Sequence, residues 1–334
     1  MNSLSLRTPK SLFALVLGGP TLVLYTAKHL VRYGPMTLLR NLERIVSDEE
    51  SWRGSISEHL RVARVMRSRH LRPVMRQYPQ LKFRYLFPNL AASFPRMWRR
   101  QILLHHYQYL IPRVGEEFFE RLMRGAVVLW SGTANGSSQE VRLVFSGKYT
   151  HDGDMTLTFA QNASVVYHVA FSIVPGFVVG SKESDVILVG RIQGVPACRE
   201  AIKAATKACH DVSPPFVLMA AIHGIAQALG IPLIAGLRNA EQVCSDVTFD
   251  YDAFWAAFVG TVRGGFCHID VPIPEKPLTD IARVHRRRTR VKRQLKSVIA
   301  LNSCRGFRAA AHALRTDPSP SDASMDWQTH LSLE

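Results

Sequence analysis

The spacing of apolar positions along the chain changes character twice. Between residues 35 and 125 it is helical. Leu38, Leu39, Leu42 and Ile45 share one face, and Leu60, Ala63 and Met66 continue the pattern among arginines. Pro73, Pro79, Pro88 and Pro95 cut this region into short helices and turns. The stretch beginning WRRQILLHHYQYL predicts a longer helix over 98–124, interrupted at Pro112 and Gly115. From about residue 126 the runs become short and β-rich: 126–130, 140–146, 154–160, 164–174 and 186–192. Asn135-Gly136, Gly147, Asp152-Gly153-Asp154 and Pro175-Gly176 punctuate them, which predicts an antiparallel meander. Asp152 and Asp154 read as exposed acids of a turn rather than as metal ligands. Elements then alternate. Helices are expected at 197–209, 214–229, 251–258 and from 279 to about 300, with strands at 231–237 and 266–271.

The expected fold is therefore α+β: a helical N-terminal region, then a mixed, largely antiparallel sheet with flanking helices. The expected organisation is an apolar and basic segment at 1–34, a helical region at 35–125, an α+β domain at 126–300, and a helix end with a polar tail at 301–334. Leu12 to Tyr25 is apolar, yet shorter than the ~20 residues that span a bilayer. It reads as a retained segment that packs on the domain or dips into a membrane surface.

Composition adds a core and a charge. The chain has 334 residues, 47% of them apolar, which suffices for a buried core. The net charge of +16 is concentrated. Twelve Lys/Arg and no acid lie between His59 and Gly115, and ten with no acid lie between Arg283 and Arg308. Outside those blocks acids outnumber bases. Such blocks favour anionic lipid, phosphate-bearing ligands or nucleic acid, and a solvated basic face accounts for them equally. Five scattered cysteines form no CxxC pair, so no metal site is expected, and a reducing cytoplasm fits them. The expected location is cytoplasmic, including peripheral attachment at the inner membrane.

The stretch VILVGRIQGVPACREAIKAATKACH, residues 186–210, carries the candidate chemistry. A strand ends at Arg191, Gln193 and Gly194, and Pro196 opens the next helix. Arg199, Lys203 and Lys207 then stand four apart. Strand, glycine and helix N-terminus form an anion cradle in several folds. A phosphate or carboxylate along the stripe and a solvent-screened face are both open readings. The helix at 214–229 is apolar almost all round and hence buried, and His223 within it reads as a core histidine.

Taken together, VGRIQG, REAIKAATKACHDVSPPFVLMAAIHGIAQALGIPLIAGL, Tyr78-Pro79-Gln80-Leu81-Lys82, His106-Tyr107, Tyr251-Asp252 with Trp255, and Gly264-Gly265-Phe266 resemble the VirK/YbjX-like family of bacterial proteins, over roughly residues 35–300. That resemblance implies a bacterial protein linked to virulence and the cell envelope, and it carries no assigned reaction. The element order also resembles, by architecture, the GNAT-like N-acyltransferase superfamily, whose strand-glycine-helix element holds an acyl-CoA pyrophosphate. Val195-Pro196-Ala197 stands here in place of that superfamily's glycine step.

Three functions follow as expectations. The first is an acyltransferase taking an acyl-CoA or acyl carrier protein. In it Arg191, Gln193, Gly194, Arg199, Lys203 and Lys207 hold the donor, and His106, Tyr107 and His210 are the candidate acid–base groups. No cofactor is required, and acyl-CoA is the one this reading admits. The second is a non-enzymatic protein on an anionic membrane surface. The third is nucleic-acid binding through Arg286–Lys296, which lacks a known motif. No Walker loop, HExxH, GxSxG or Rossmann fingerprint occurs.

Overall fold

A computed structural model describes residues 52–125, 127–134, 136–147, 151–243 and 249–312. The apolar run from Leu12 to Tyr25, the helical face at 38–45 and the polar tail lie outside the described residues. The chain forms two compact units, Met1–Arg67 and Ser68–Glu334. Of the first, helix α1 (Trp52–Val65) is described.

The second unit opens with α2 (Arg72–Gln77), a 3-10 segment (Pro79–Leu86), α3 (Arg96–Leu110) and α4 (Phe118–Arg124). Pro73 is second in its helix and Pro79 first in its 3-10 segment, positions where a missing N–H costs nothing. Four strands follow as a meander: β1 (Val127–Ala134), β2 (Ser137–Phe145), β3 (Met155–Gln161) and β4 (Ser164–Pro175). Then come β5 (Asp185–Gly194), α5 (Arg199–Ala208), α6 (Pro214–Leu229) and β6 (Leu233–Leu237). The chain continues through α7 (Tyr251–Trp255), β7 (Thr261–Arg263), β8 (Phe266–Asp270) and α8 (Arg283–His312).

The eight strands form one sheet in the order β1-β2-β3-β4-β5-β6-β8-β7. All neighbours are antiparallel except β5 and β6. The α+β expectation therefore holds. The sequence reading missed β7, a three-residue edge strand paired back to β8 across Gly264-Gly265. It also placed the start of α5 at Pro196. The helix begins at Arg199, because Ala197 is left-handed (φ 62°) and puts Pro196 in a turn.

Alternation along the strands gives the sheet two apolar faces. On one, α3 packs through Ile102 onto Val174, Val186, Leu188 and Ala235. The other is covered by α6, α7 and α8. There Trp255 lies flat on Gly236, where an added Cβ would come within 2.2 Å of the indole. α6 and α8 run side by side in the same direction and approach closely at Gly224, whose position leaves 2.1 Å between an added Cβ and the Ala300 carbonyl. Only glycine allows this approach. Trp255 and Phe254 are buried, as expected for core aromatics.

Candidate functional site

Beneath the α3 face lies a buried polar cluster. Arg84 and Asp154 form an ion pair at 2.8 Å through both carboxylate oxygens, and both side chains are essentially inaccessible. The Ser172 hydroxyl donates to the same carboxylate at 2.6 Å and accepts the Asp154 N–H at 3.0 Å. Burial works against the Asp154 charge, yet the adjacent guanidinium overrides it and holds the carboxyl below its ordinary range. This corrects the reading of Asp154 as an exposed turn acid. The turn folds inward because Gly153 lets its backbone lie against that of Phe171. Asp152 is half-buried and pairs with Arg191 at 3.0 Å.

His106 and Tyr107 belong to this cluster and are fully buried, with ring centroids 4.9 Å apart. Nδ1 of His106 accepts the Ile173 N–H at 3.0 Å, so the ring is neutral with its proton on Nε2. Burial holds its pKa down at about 4. Burial and then Asp154 raise the Tyr107 phenol. His210 is elsewhere, on the loop between α5 and α6. The structure thus brings two of the three candidate acid–base groups together, inside the protein, and separates the third.

The residues proposed to hold an acyl donor are arranged as follows. Arg191 donates to Gln193 at 2.6 Å and to Asp152, so the two side chains engage each other. Gly194 faces Ile202 and Tyr167, which would stand 3.1 and 3.2 Å from an added Cβ. Arg199, Lys203 and Lys207 are exposed, and Lys203 pairs with Glu200 at 2.8 Å. The pairing of β5 with β6 stops at Val189 and Gly236, and β5 runs on to Gly194. α7 fills the notch that results. The Tyr251 hydroxyl accepts the Ile192 N–H at 3.0 Å, and the Trp255 indole donates to the Leu237 carbonyl at 2.6 Å.

The open site lies on the other face, between α6 and α8. Two adjoining cavities of about 610 and 740 Å³ share Phe216, Phe258, Ile273, Glu275, Arg293 and Lys296 in their walls. Each falls within the ~300–1,000 Å³ usual for small-molecule sites. The floor is apolar. Lys292 stands in the first cavity, Arg290 and His223 in the second. Burial, then Arg288 and Lys296, lower the Lys292 ammonium. Burial and then Lys296 lower His223 as well. His223 is therefore not a core histidine. It is half-buried on the one face of α6 that also carries Phe216, Ala220 and Gln227, and that face opens to the groove.

At the mouth, His210 and Asp211 are both left-handed (φ 50° and 59°), and Asp211 pairs with Arg288 at 2.9 Å. Consecutive non-glycine residues in this region are uncommon, and such strain clusters at functional sites. His210 and Asp211 line a third, smaller cavity with Arg287 and Arg288. No group of potential metal ligands occurs among the described residues. Among them no helix is long and apolar enough to cross a membrane.

The basic run of 283–308 was visible in the sequence. What was missed is its floor, formed by Phe216, Phe258 and Ile273 from three separate segments. The one local signal was His223 and Gln227 breaking an otherwise apolar helix on a single side.

Comparison with known proteins places these features in a family. A family model described as "Protein of unknown function (DUF535)" matches residues 56–300. The chain belongs to this family. It is 25% identical over 231 residues to the uncharacterized protein YbjX of Escherichia coli K12, covering 64% of this chain and 68% of that protein. An uncharacterized protein of Haemophilus influenzae is 28% identical over 149 residues, covering 42% of this chain and 48% of its own length. The chain thus spans about half of that second relative. No solved structure matches. The family membership agrees with the resemblance carried by the motifs, and α6 and the first half of α8, which line the groove, fall inside the matched region.

Proposed function

We propose that this protein binds a single-chain anionic amphiphile, an acyl chain joined to a phosphate or carboxylate, in the groove between α6 and α8. One observation carries the reading: Lys292, Arg293 and Lys296 stand directly beside an apolar floor of Phe216, Phe258 and Ile273. Apolar surface alone would accept a neutral chain, and cations alone would accept any anion. Their juxtaposition favours a ligand with both parts. Each buried methylene contributes ~0.8 kcal/mol, and each basic group near a phosphate adds attraction that salt screens. A cell-envelope role, implied by the family resemblance, agrees with such a ligand.

Calorimetric titration and thermal melting with palmitoyl-CoA, 1-oleoyl lysophosphatidate, CoA and monoolein test the reading. The two acylated anions are expected to bind and to raise the melting temperature. CoA, which lacks the chain, and monoolein, which lacks the charge, are expected to bind at least tenfold more weakly. Flotation with phosphatidylglycerol vesicles separates capture of a single molecule from adsorption to a bilayer. Equal affinity for CoA and palmitoyl-CoA overturns the reading.

Acyl transfer is a second reading, supported by the sheet order: a meander followed by one parallel pair, as in the acyltransferase-like architecture. The test is release of CoA thiol from palmitoyl-CoA in the presence of amine acceptors. Release no faster than in buffer overturns it and leaves binding alone.

A further inference from the structure

The Glu275 carboxylate occupies an anion position of the groove shared by two cations. It lies 3.0 Å from Nε of Arg293 and 3.3 Å from Nζ of Lys296, where the two cavities meet. The segment carrying it, residues 273–277, has neither helix nor strand, and Pro274 to Pro277 are exposed. Among the described residues, the backbone N–H groups of Ile273, Glu275 and Lys276 donate no backbone hydrogen bond, and Pro274 and Pro277 have none to donate. Three polar attachments tie this strap to α8: the two ion pairs of Glu275, and the Arg293 guanidinium donating to the Lys276 carbonyl; the Pro277 carbonyl at its end accepts the Asp280 N–H. A surface carboxylate held by two cations on a strap with few other polar attachments is removable, since exposed ion pairs contribute only ~0–1 kcal/mol each.

We infer that Glu275 is an internal stand-in for the ligand's head group: the phosphate or carboxylate of the amphiphile replaces it on Arg293 and Lys296, and the strap lifts as the chain settles over Phe216 and Phe258. This rests on the amphiphile reading and assigns its head-group position. Ile273, two residues before Glu275, lines both cavities, so displacing Glu275 also moves an apolar lid element. Asp211 and Arg290, also at the groove, do not compete for this role. Asp211 is already paired with Arg288 at the mouth. Arg290 lines the second cavity and forms no ion pair among the described residues. No bond is made or broken in the exchange. One anion leaves two cations and another takes its place, so affinity reports the competition directly.

The experiment compares wild type with Glu275→Gln in titrations against 1-oleoyl lysophosphatidate and palmitoyl-CoA at fixed ionic strength. Removing the internal anion is expected to tighten both about tenfold, which is ~1.4 kcal/mol. Arg293→Gln in the Glu275→Gln background should reverse the gain. Hydrogen exchange of the wild-type protein supplies a second readout: ligand should slow exchange along α6 while leaving the amides of Ile273, Glu275 and Lys276 as fast as in the free protein. Wild type that binds with Glu275→Gln unchanged or weaker overturns the inference and leaves the amphiphile reading intact. Slowed exchange in the strap, meaning a ligand seated beneath an undisplaced Glu275, overturns it too. Failure of both proteins to bind either probe overturns the amphiphile reading and the inference together. Binding by Glu275→Gln alone supports both.

Discussion

The two faces of the sheet use the same residue types to opposite ends. On the α3 face an arginine, an aspartate and a histidine lie in the dry core: Arg84 grips Asp154, Ser172 completes the carboxylate, and neutral His106 accepts a strand N–H. On the α6–α8 face, arginine, lysine, glutamate and histidine border cavities that reach solvent. The lesson is one of dielectric. A charge pair closed off from water is strong and specific but tolerates no change of partner. A pair at a wet groove is weak, and weakness lets an outside anion compete. Position relative to the sheet, rather than residue identity, separates structure from binding here.

The sharpest way to break that contrast is to remove one partner from the dry face. Arg84→Met leaves Asp154 buried without its counter-charge, and urea unfolding should show a loss of ~3–5 kcal/mol. A loss below ~1 kcal/mol would make the two faces alike. Next in size is a pH effect. The neutral His106 ring, held at about 4 against an ordinary value of 6.5, takes up a proton in the unfolded chain before it does in the folded one. Stability is therefore full above pH 6.5 and falls as the pH drops from 6.5 toward 4, by up to ~3 kcal/mol. His106→Gln should lower stability at neutral pH and flatten that slope in equilibrium melts followed across the same range. The smallest effects belong to exposed cations. Lys203→Glu with Lys207→Glu on α5 should change stability by less than ~0.5 kcal/mol and leave amphiphile affinity unchanged. Lys292→Glu with Lys296→Glu on α8 should fold equally well and bind palmitoyl-CoA at least tenfold more weakly. Equal losses of affinity from the two pairs would move the anion site to the α5 stripe.

Much of the fold was legible because its signals are local. The meander shows in β-rich runs between glycine turns, and the length of α6 shows between Pro214 and Gly230, which closes it in the left-handed conformation. Asp154 was misread because nothing within ten residues names its partner. Arg84 lies seventy positions earlier. The cationic side of the groove was visible as an acid-free run, but its apolar floor was not, since Phe216, Phe258 and Ile273 meet only once α6, the segment after α7 and the strap converge. His223 looked like core because its neighbours in sequence are core, and one helix face out of three turned out to face the groove. The stripe on α5 attracted attention by its regular spacing, which periodicity produces on any exposed helix face.

α8 is continuous over thirty residues, yet its buried positions begin only at Leu295. Upstream of that, seven Lys/Arg crowd three helical turns whose positive dipole end they aggravate. One rod therefore joins a well-anchored shaft to a self-repelling tip that leans on exposed ion pairs. Ionic strength acts on these two parts differently: it relieves the crowding while loosening the fastenings. The tip is thus attuned to the salinity and surface charge of its surroundings.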